Sequence, residues 1–279
     1  MLTTLALATA AVAGPVRFGT VQLATGVKLA YAEQGDPRGP AIILLHGYSD
    51  SWFSFSLLLP LLPEKYHVFA LDQRGHGGSD KPGSGYQLRD LGRDVVAFLD
   101  AKGIRRATIV GHSMGSFAAQ QVALFAPERV EKLVLVGSGT TLRNMEGRAE
   151  FAAAVNALSD PVSLDFIREF QESTVFRPLP NGFMDRAVAE STKLPARVWK
   201  SLLEGFFAVP ADPGLARLAM PTLLIWGDRD AVFHRAEAER LAAAIPGARF
   251  VVREGTGHAV HWEEPEAVAR EIVGFLEAR

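Results

Sequence analysis

The stretch that decides the fold is ATIVGHSMGSFAA at 107–119. Its first four residues are largely apolar and predict a buried strand, and a helical pattern follows the second glycine. Gly111 and Gly115 flank Ser113 in a G-x-S-x-G pattern, whose serine lies on a strained turn between strand and helix. The pattern therefore predicts that Ser113 is a nucleophile. The alternative is that Ser113 is an ordinary helix N-cap.

The rest of the chain alternates short β-rich runs with longer helical patterns, which is typical of a mostly parallel sheet covered by helices on both faces. The runs at 16–23 and 27–33 flank Thr25-Gly26, a tight-turn signal, and predict an antiparallel hairpin at the sheet edge. Largely apolar runs predict further strands buried on both faces, at 41–45, 67–71, 107–110, 132–136, 222–226 and 249–252. Helices are predicted at 86–102, 116–126 and 265–276. We therefore predict an α/β fold with about eight strands.

Residues 139–215 interrupt this alternation, because they contain no strand-like run and several prolines break their helical patterns. We predict a helical cap there, inserted between the two parts of the core at 15–138 and 216–279. We expect most of its large apolar side chains to pack together and the others to line an apolar pocket above Ser113. These side chains belong to Phe151, Phe166, Ile167, Phe170, Phe176, Phe183, Met184, Trp199, Leu202, Leu203, Phe206 and Phe207.

Composition and charge exclude several classes of protein. The 279 residues include 29 Lys and Arg against 31 Asp and Glu, without a basic stripe, so nucleic acid is not an expected partner. The absence of Cys excludes disulfides, thiolate metal sites, iron–sulfur clusters and a cysteine nucleophile. No apolar stretch reaches the roughly 18 residues of a spanning helix, so we expect no stable membrane insertion. The sequence predicts no cofactor.

The N-terminal segment 1–14 leaves the location of the protein open. Leu5 to Val12 is apolar, and Ala11-Val12-Ala13 resembles a signal-peptidase site. However, no Lys or Arg precedes this run, and the segment is shorter than the roughly 15 to 30 residues of an export signal. Export after cleavage and a cytoplasmic protein with a frayed start both fit this pattern.

A serine hydroxyl needs a neighbouring imidazole to take its proton, and seven histidines compete for this role. His258 follows the last predicted strand in a glycine-rich loop, at the edge where such a sheet gathers its catalytic groups. We therefore predict His258 as the base. His261 is the second candidate, although Trp262 after it marks the approach to the final helix. We expect structural roles for His67 and His234.

The acid that orients the imidazole is predicted to be Asp230. It follows the predicted strand 222–226 and gives the chain order Ser, Asp, His that this kind of fold requires. Asp228 is the alternative, although an Asp directly after a strand is often a turn former. A different arrangement would place the acid after the strand 132–136, but 137–139 contains no carboxylate.

Acyl transfer builds negative charge on a carbonyl oxygen, which backbone N–H groups stabilise. The predicted donors are the N–H groups of Met114 and of Tyr48, which lies in the loop after the strand 41–45. The Tyr48 phenol is either a substrate contact or a pocket wall. We expect His46 to bond its own loop. The stretch 72–80 is rich in glycine but lacks the spacing of a P-loop, so we expect that it and its His76 support the active site.

Together these motifs resemble the α/β-hydrolase superfamily over the chain from about Phe18 to the C-terminus. The motifs are His46-Gly47, Asp72-Gln73-Arg74-Gly75-His76-Gly77, the Ser113 turn, Gly227-Asp228-Arg229-Asp230 and Gly257-His258. Their order and strand context are specific for the fold and the Ser-Asp-His triad, and much less so for the substrate. The resemblance implies a range of activities: esterases, lipases, lactonases, cofactor-free haloperoxidases or perhydrolases, and carbon–carbon bond hydrolases.

The stretches 46–52 and 75–82 are also similar to those of epoxide hydrolases and haloalkane dehalogenases. Those relatives have an aspartate where this chain has Ser113. A carboxylate forms the alkyl-ester intermediate that these reactions need, whereas serine favours an acyl-enzyme. We therefore expect neither activity in this chain.

The function predicted from these residues is cleavage of a small apolar carboxylic ester or lactone through an acyl-enzyme. Two alternatives use the same triad: cofactor-free perhydrolysis or haloperoxidation, and hydrolysis of a carbon–carbon bond. An alternative of another class is a ligand-binding receptor on the same fold. The oligomeric state is left open.

Overall fold

A computed structural model describes residues 14–143, 145–210 and 213–278. Within these ranges, eight strands form a single sheet in the order β1-β2-β4-β3-β5-β6-β7-β8. The strands are β1 (Arg17–Gln22), β2 (Lys28–Gly35), β3 (Ala41–Leu45), β4 (His67–Leu71), β5 (Ala107–His112), β6 (Val130–Val136), β7 (Thr222–Gly227) and β8 (Arg249–Arg253). This confirms the predicted α/β fold.

The strand directions also follow the prediction. β1 and β2 pair antiparallel at one edge of the sheet, joined by a turn in which Gly26 has a φ of 83°. A left-handed φ is open to glycine because it has no Cβ. β2 then pairs antiparallel with β4, and the neighbours from β4 to β8 are parallel. The carboxyl ends of the parallel strands therefore meet at the same edge of the sheet.

The described residues contain nine α-helices. They are α1 (Leu88–Ala101), α2 (Met114–Phe125), α3 (Arg148–Asn156), α4 (Leu164–Glu172), α5 (Phe183–Ser191), α6 (Ala196–Phe207), α7 (Arg235–Ala244), α8 (Val260–Glu263) and α9 (Pro265–Glu277). Helices α3 to α6 lie between β6 and β7 and occupy the stretch for which a cap is predicted.

Two apolar layers cover the two faces of the sheet. Side chains alternate along a strand, so Ile43 and Leu45 of β3 join the layer beneath α1 and α2, while Ile42 and Leu44 join the layer beneath α9. All five residues of β3 are buried for this reason. The unbroken apolar runs of the central strands thus reflect helices on both faces of the sheet.

Two sequence expectations were wrong. The run 249–252 was predicted to be buried on both faces, yet Arg249 of β8 is exposed and the rest of the strand is only partly buried. β8 is the edge strand next to β7, so one of its sides has no neighbouring strand. The helix predicted to start at 116 starts at Met114, directly after Ser113, because the turn at the serine leads straight into α2.

The signal-like segment 1–13 lies outside the described residues. No helix among the residues that the structure describes is long and apolar enough to cross a membrane.

Candidate active site

Ser113 lies on the sharp turn between β5 and α2. Its φ of 48° and ψ of −116° place it in a strained backbone region for a residue with a side chain. A Cβ on Gly111 would lie 2.4 Å from the Gly115 carbonyl oxygen, and a Cβ on Gly115 would lie 2.1 Å from the Leu45 oxygen. Both glycines are therefore needed for the close approach of β5, α2 and β3. The Ser113 N–H donates to Val136 O at 3.0 Å, which anchors the turn to β6.

His258 and Asp230 come together at the carboxyl edge of the sheet, from the loops after β8 and β7. His258 Nδ1 lies 2.9 Å from Asp230 Oδ2, and both side chains are buried. Asp230 Oδ1 accepts the N–H groups of Val232 and Phe233 at 2.8 and 2.9 Å, so local backbone donors fix the carboxylate. A hydrogen bond to this carboxylate places the proton on Nδ1 and leaves Nε2 of the neutral ring as a base.

The two alternative candidates have other partners. Asp228 Oδ1 accepts the Gly255 N–H at 2.6 Å and so shapes the loop that leads to His258. His261 is buried in α8, where its Nε2 lies 2.9 Å from Ser54 Oγ. Burial lowers the pKa of His261 to about 3, so this ring stays neutral near neutral pH.

Other histidines bond to nearby loops and side chains. His46 donates from Nδ1 to Gly47 O at 2.8 Å and accepts the Gln73 N–H on Nε2 at 3.1 Å, and burial lowers its pKa to about 4. His76 packs edge-on against His46 and donates from Nδ1 to Arg74 O at 3.0 Å. These contacts match the structural roles expected for both histidines.

His67 and His234 lie away from this site. His67 is 2.9 Å from Glu33 in the neighbouring strand, and the more exposed His234 is 3.2 Å from Glu146. Both contacts fit the structural roles expected from the sequence.

The glycine-rich stretch 72–80 is a rigid support. Asp72 accepts the Trp52 N–H on Oδ1 and the Gly78 N–H on Oδ2, both at 2.7 Å, and thereby ties two loops together. Arg74 forms a buried ion pair with Asp94 of α1, with Nε and Oδ2 2.5 Å apart. Asp72 thus binds backbone donors and Asp94 binds a guanidinium, and both contacts fit the supporting role expected for this stretch.

The Tyr48 and Met114 amides, predicted to bind an oxyanion, lie in the loop after β3 and at the start of α2. Met114 is the first residue of α2, so its N–H has no acceptor within the helix. The Tyr48 phenol donates to Trp199 O at 2.5 Å, and its ring packs edge-on against Trp199 and Phe170. Burial raises the pKa of Tyr48 well above its ordinary value, so the phenol stays neutral. The side chain is thus a pocket wall.

Ser113 and His258 line one cavity with about 560 Å³ of empty space, a volume that includes open solvent at its mouth. The carboxyl edge of the sheet and its loops provide the floor, formed by Gly47, Tyr48, Asp50, His112, Ser113 and His258. The segment between β6 and β7 provides an apolar roof, formed by Leu142, Met145, Phe151, Phe170, Leu203 and Phe206. We use the names floor and roof for these two sets.

Sequence reasoning missed four polar residues of this cavity: Asp50, His112, Gln171 and Thr174. All four are buried. A charged residue in a polar loop is normally exposed, so nothing in the sequence marks Asp50 as a cavity residue. The only signals are that Asp50 follows the His46-Gly47 motif and that His112 precedes Ser113.

No group of three or more His, Asp or Glu side chains that could hold a metal ion occurs in the described part of the chain.

Comparisons with known proteins agree with this architecture. The family model for the alpha/beta hydrolase fold matches residues 40–265. Epoxide hydrolase A of Mycobacterium tuberculosis is 27% identical, covering 90% of this chain and 94% of that protein. 3-oxoadipate enol-lactonase 2 of Acinetobacter baylyi is 29% identical, covering 88% of this chain and 91% of that protein. The crystal structure of a putative aryl esterase from Burkholderia cenocepacia is similar, with a TM-score of 0.84 and 27% identity. The match covers 93% of this chain and 98% of that one.

Proposed function

The chain belongs to the α/β-hydrolase fold family, and on that premise we propose that it cleaves a small apolar carboxylic ester or lactone through an acyl-enzyme on Ser113. One observation carries this proposal. The strained Ser113 turn opens into the same cavity as His258, whose Nδ1 lies 2.9 Å from Asp230 Oδ2. A serine nucleophile, a neutral imidazole and an orienting carboxylate are the parts that acyl transfer needs.

In the first half of the reaction, Ser113 Oγ attacks the ester carbonyl carbon while His258 Nε2 takes the hydroxyl proton. Asp230 then faces a positively charged imidazolium and stabilises it through the bond to Nδ1. The N–H groups of Tyr48 and Met114 donate to the carbonyl oxygen as it becomes negative, each such donor being worth about 2.7 to 4 kcal/mol. The carbon–oxygen bond to the alcohol breaks, and the alcohol leaves with the proton from His258.

In the second half, water replaces the alcohol. His258 Nε2 takes a proton from the water as its oxygen attacks the acyl carbon, and the same two N–H groups receive the negative charge. When the carbon–oxygen bond to Ser113 breaks, the proton returns to Oγ. The products are a carboxylic acid and the restored serine hydroxyl.

The roof supports an apolar substrate. Its side chains provide no charge and no hydrogen bond, so they favour alkyl or aryl groups over phosphorylated or sugar-like ones. The names of the lactonase and esterase relatives are in line with this chemistry. Epoxide hydrolysis, named for another relative, is not proposed here, because its alkyl-ester intermediate needs a carboxylate and Ser113 provides a hydroxyl.

The experiment compares initial rates on p-nitrophenyl esters of graded acyl length for the native protein and for Ser113→Ala. We expect the variant to lose about 10⁶ in kcat, since the nucleophile acts as a unit with its base. Ser163→Ala is the matched control, because Ser163 is exposed and lies at the start of α4. Labelling of Ser113 by a fluorophosphonate would report the nucleophile independently of turnover.

An unchanged rate in Ser113→Ala would overturn the proposal. Products separate the other reactions of the same triad: a peracid indicates perhydrolysis, and two carbon fragments from a diketone indicate carbon–carbon cleavage. Ligand binding without turnover or labelling would favour a receptor.

A further inference from the structure

Asp50 is a buried carboxylate in the floor of the cavity that the proposed mechanism does not use. It is 6% exposed, and it lines the same cavity as Ser113 and His258. Burial raises the pKa of Asp50 to about 6, because the charged form loses its hydration. A buried carboxylate normally requires donors on both oxygens.

The donors around Asp50 cover one oxygen better than the other. Oδ1 accepts from Gln171 Nε2 of α4 at 2.9 Å. Oδ2 has a long contact of 3.4 Å from Ser54 Oγ, and the same hydroxyl lies 2.9 Å from His261 Nε2. The Gly47 backbone N–H contributes one further hydrogen bond to the carboxylate. Since a hydroxyl has one hydrogen and a carboxylate has about four acceptor sites, Oδ2 retains free accepting capacity.

A second acceptor faces this oxygen. His112 Nε2 lies 3.2 Å from His258 O, which can only accept, so Nε2 carries the hydrogen of the neutral ring. Burial and the neighbouring imidazoles lower the pKa of His112 well below its ordinary value and keep the ring neutral. His112 Nδ1 is therefore a lone-pair acceptor, buried without a partner among the described residues, 4.0 Å from Asp50 Oδ2.

Gly47 lies beside both acceptors. A Cβ at this position would be 2.9 Å from Asp50 Oδ2 and 2.9 Å from His112 Nδ1, so a larger residue would crowd both atoms. The next residue, Tyr48, provides one of the proposed oxyanion donors. The two acceptors therefore share the cavity with Ser113 and with a proposed oxyanion donor.

We propose that Asp50 and His112 form a polar subsite for a hydrogen-bond donor on the substrate, a hydroxyl or a protonated amine close to the ester group. This inference rests on the proposed function, because it concerns the substrate of the same cavity. An apolar substrate displaces water from the two acceptors and leaves them unpaired, whereas a donor group satisfies them. A site built to bond a polar group discriminates strongly against the analogue that lacks it.

The test uses isosteric p-nitrophenyl esters that differ in one group: 3-methylbutanoate, 3-hydroxybutanoate and 3-aminobutanoate, and the matching set substituted at carbon 2. In the native protein we expect kcat/KM for at least one hydroxyl or amino ester to exceed that of its methyl analogue about tenfold or more. Comparing the hydroxyl ester with the amino ester of each set identifies which donor group the subsite prefers.

Asp50→Asn keeps the shape of the side chain but replaces one acceptor oxygen with an N–H₂ donor. We expect this variant to lower the polar-to-methyl ratio about tenfold and to keep or raise the melting temperature. Asp36→Asn is the control, because Asp36 is a surface carboxylate that bonds Arg38, and it should leave the ratio unchanged.

A pH series on the native protein requires no variant. Ionised Asp50 is the better acceptor, so the preference for the hydroxyl ester should rise as the pH increases through about 6. The groups that face Asp50 are Ser54, Gln171, His112 and His258, with His261 beyond Ser54. His112 and His261 stay neutral in this range. Both esters of a pair react through the same His258, so the ratio of their rates reports on Asp50.

Two results would overturn the subsite: a ratio near one for all pairs in the native protein, or an equal loss on every ester in Asp50→Asn. If no ester is hydrolysed, the proposed ester hydrolysis is rejected, and the subsite is still untested by these rates. Calorimetric binding of the corresponding p-nitroanilides to Ser113→Ala then decides the subsite, since the same preference for the polar group is expected without turnover, and equal affinities would reject it.

Discussion

The floor and the roof of the cavity are built by different forces. In the floor, directional hydrogen bonds position the reacting groups: backbone N–H groups hold Asp230, Asp230 holds His258, and β6 anchors Ser113. In the roof, aromatic and aliphatic side chains of α3, α4 and α6 contact one another, as Phe151 does with Phe170 at 5.7 Å between ring centres. Changes in the floor should therefore alter the rate of the chemical step, and changes in the roof should alter which substrate fits.

The largest effect on kcat is expected from a substitution at Asp230. Asp230→Asn should reduce kcat by about 10⁴, because an amide no longer fixes the productive His258 tautomer or stabilises the imidazolium. The measurement is kcat on the best p-nitrophenyl ester. Asp228→Asn is the matched control and should cost less than about tenfold in kcat, since Asp228 bonds only the loop backbone at Gly255 and the adjacent Arg229.

A larger loss for Asp228→Asn than for Asp230→Asn would reverse the assignment of the acid. An equal loss in the two variants would indicate that loop shape, rather than the acid, limits the rate.

The core outside the segment 139–215 should also make stability depend on pH, because it contains all the histidines. Burial lowers the pKa of His46 to about 4 and that of His261 to about 3, from 6.5 in the unfolded chain. As the pH falls below 6.5, the unfolded chain binds protons that the folded chain does not, so the free energy of unfolding decreases. Asp50 partly offsets this loss, because its raised pKa favours the folded chain at lower pH.

From pH 7 to pH 5, these three groups together should lower the free energy of unfolding by about 2 kcal/mol. His76 and His112, whose pKa values burial also lowers, should add to this decrease. Urea unfolding at the two pH values measures this change. His261→Asn should reduce the dependence, while His234→Asn, at an exposed position, should leave it unchanged. Equal stability at both pH values would contradict the neutral state assigned to these rings.

The smallest effect is expected in the roof. Leu203→Ala shortens a side chain of the cavity wall and so enlarges the cavity. It should raise kcat/KM for an octanoyl ester relative to a butanoyl ester about tenfold. Leu202 is a matched control, since it is equally buried on α6 but does not line the cavity. Both variants should lose about 2 to 5 kcal/mol of stability, so only selectivity distinguishes them. The same selectivity shift in Leu202→Ala would show that the roof acts as a whole.

The sequence predicted the strands well where neighbouring helices bury both faces, as in β3 and β4, whose bounds match the predicted runs. It placed β8 correctly but not its burial, because an apolar run does not reveal whether a strand lies at the sheet edge. The catalytic assignments at Ser113, Asp230 and His258 stay predictions until kinetics test them. They were accessible to sequence reasoning because each follows a recognisable strand in a short motif.

The sequence by itself determined the order of strands and helices, the strained serine turn and the choice among residue types that could act as base and acid. Periodicity and glycine positions carry this information locally. Only the tertiary structure decided that Asp230 rather than Asp228 meets His258, and that Asp50 and His112 face each other in the cavity. The partners are 28 residues apart along the chain in the first pair and 62 in the second. The packing of the strands brings them into contact, and no local sequence pattern encodes that packing.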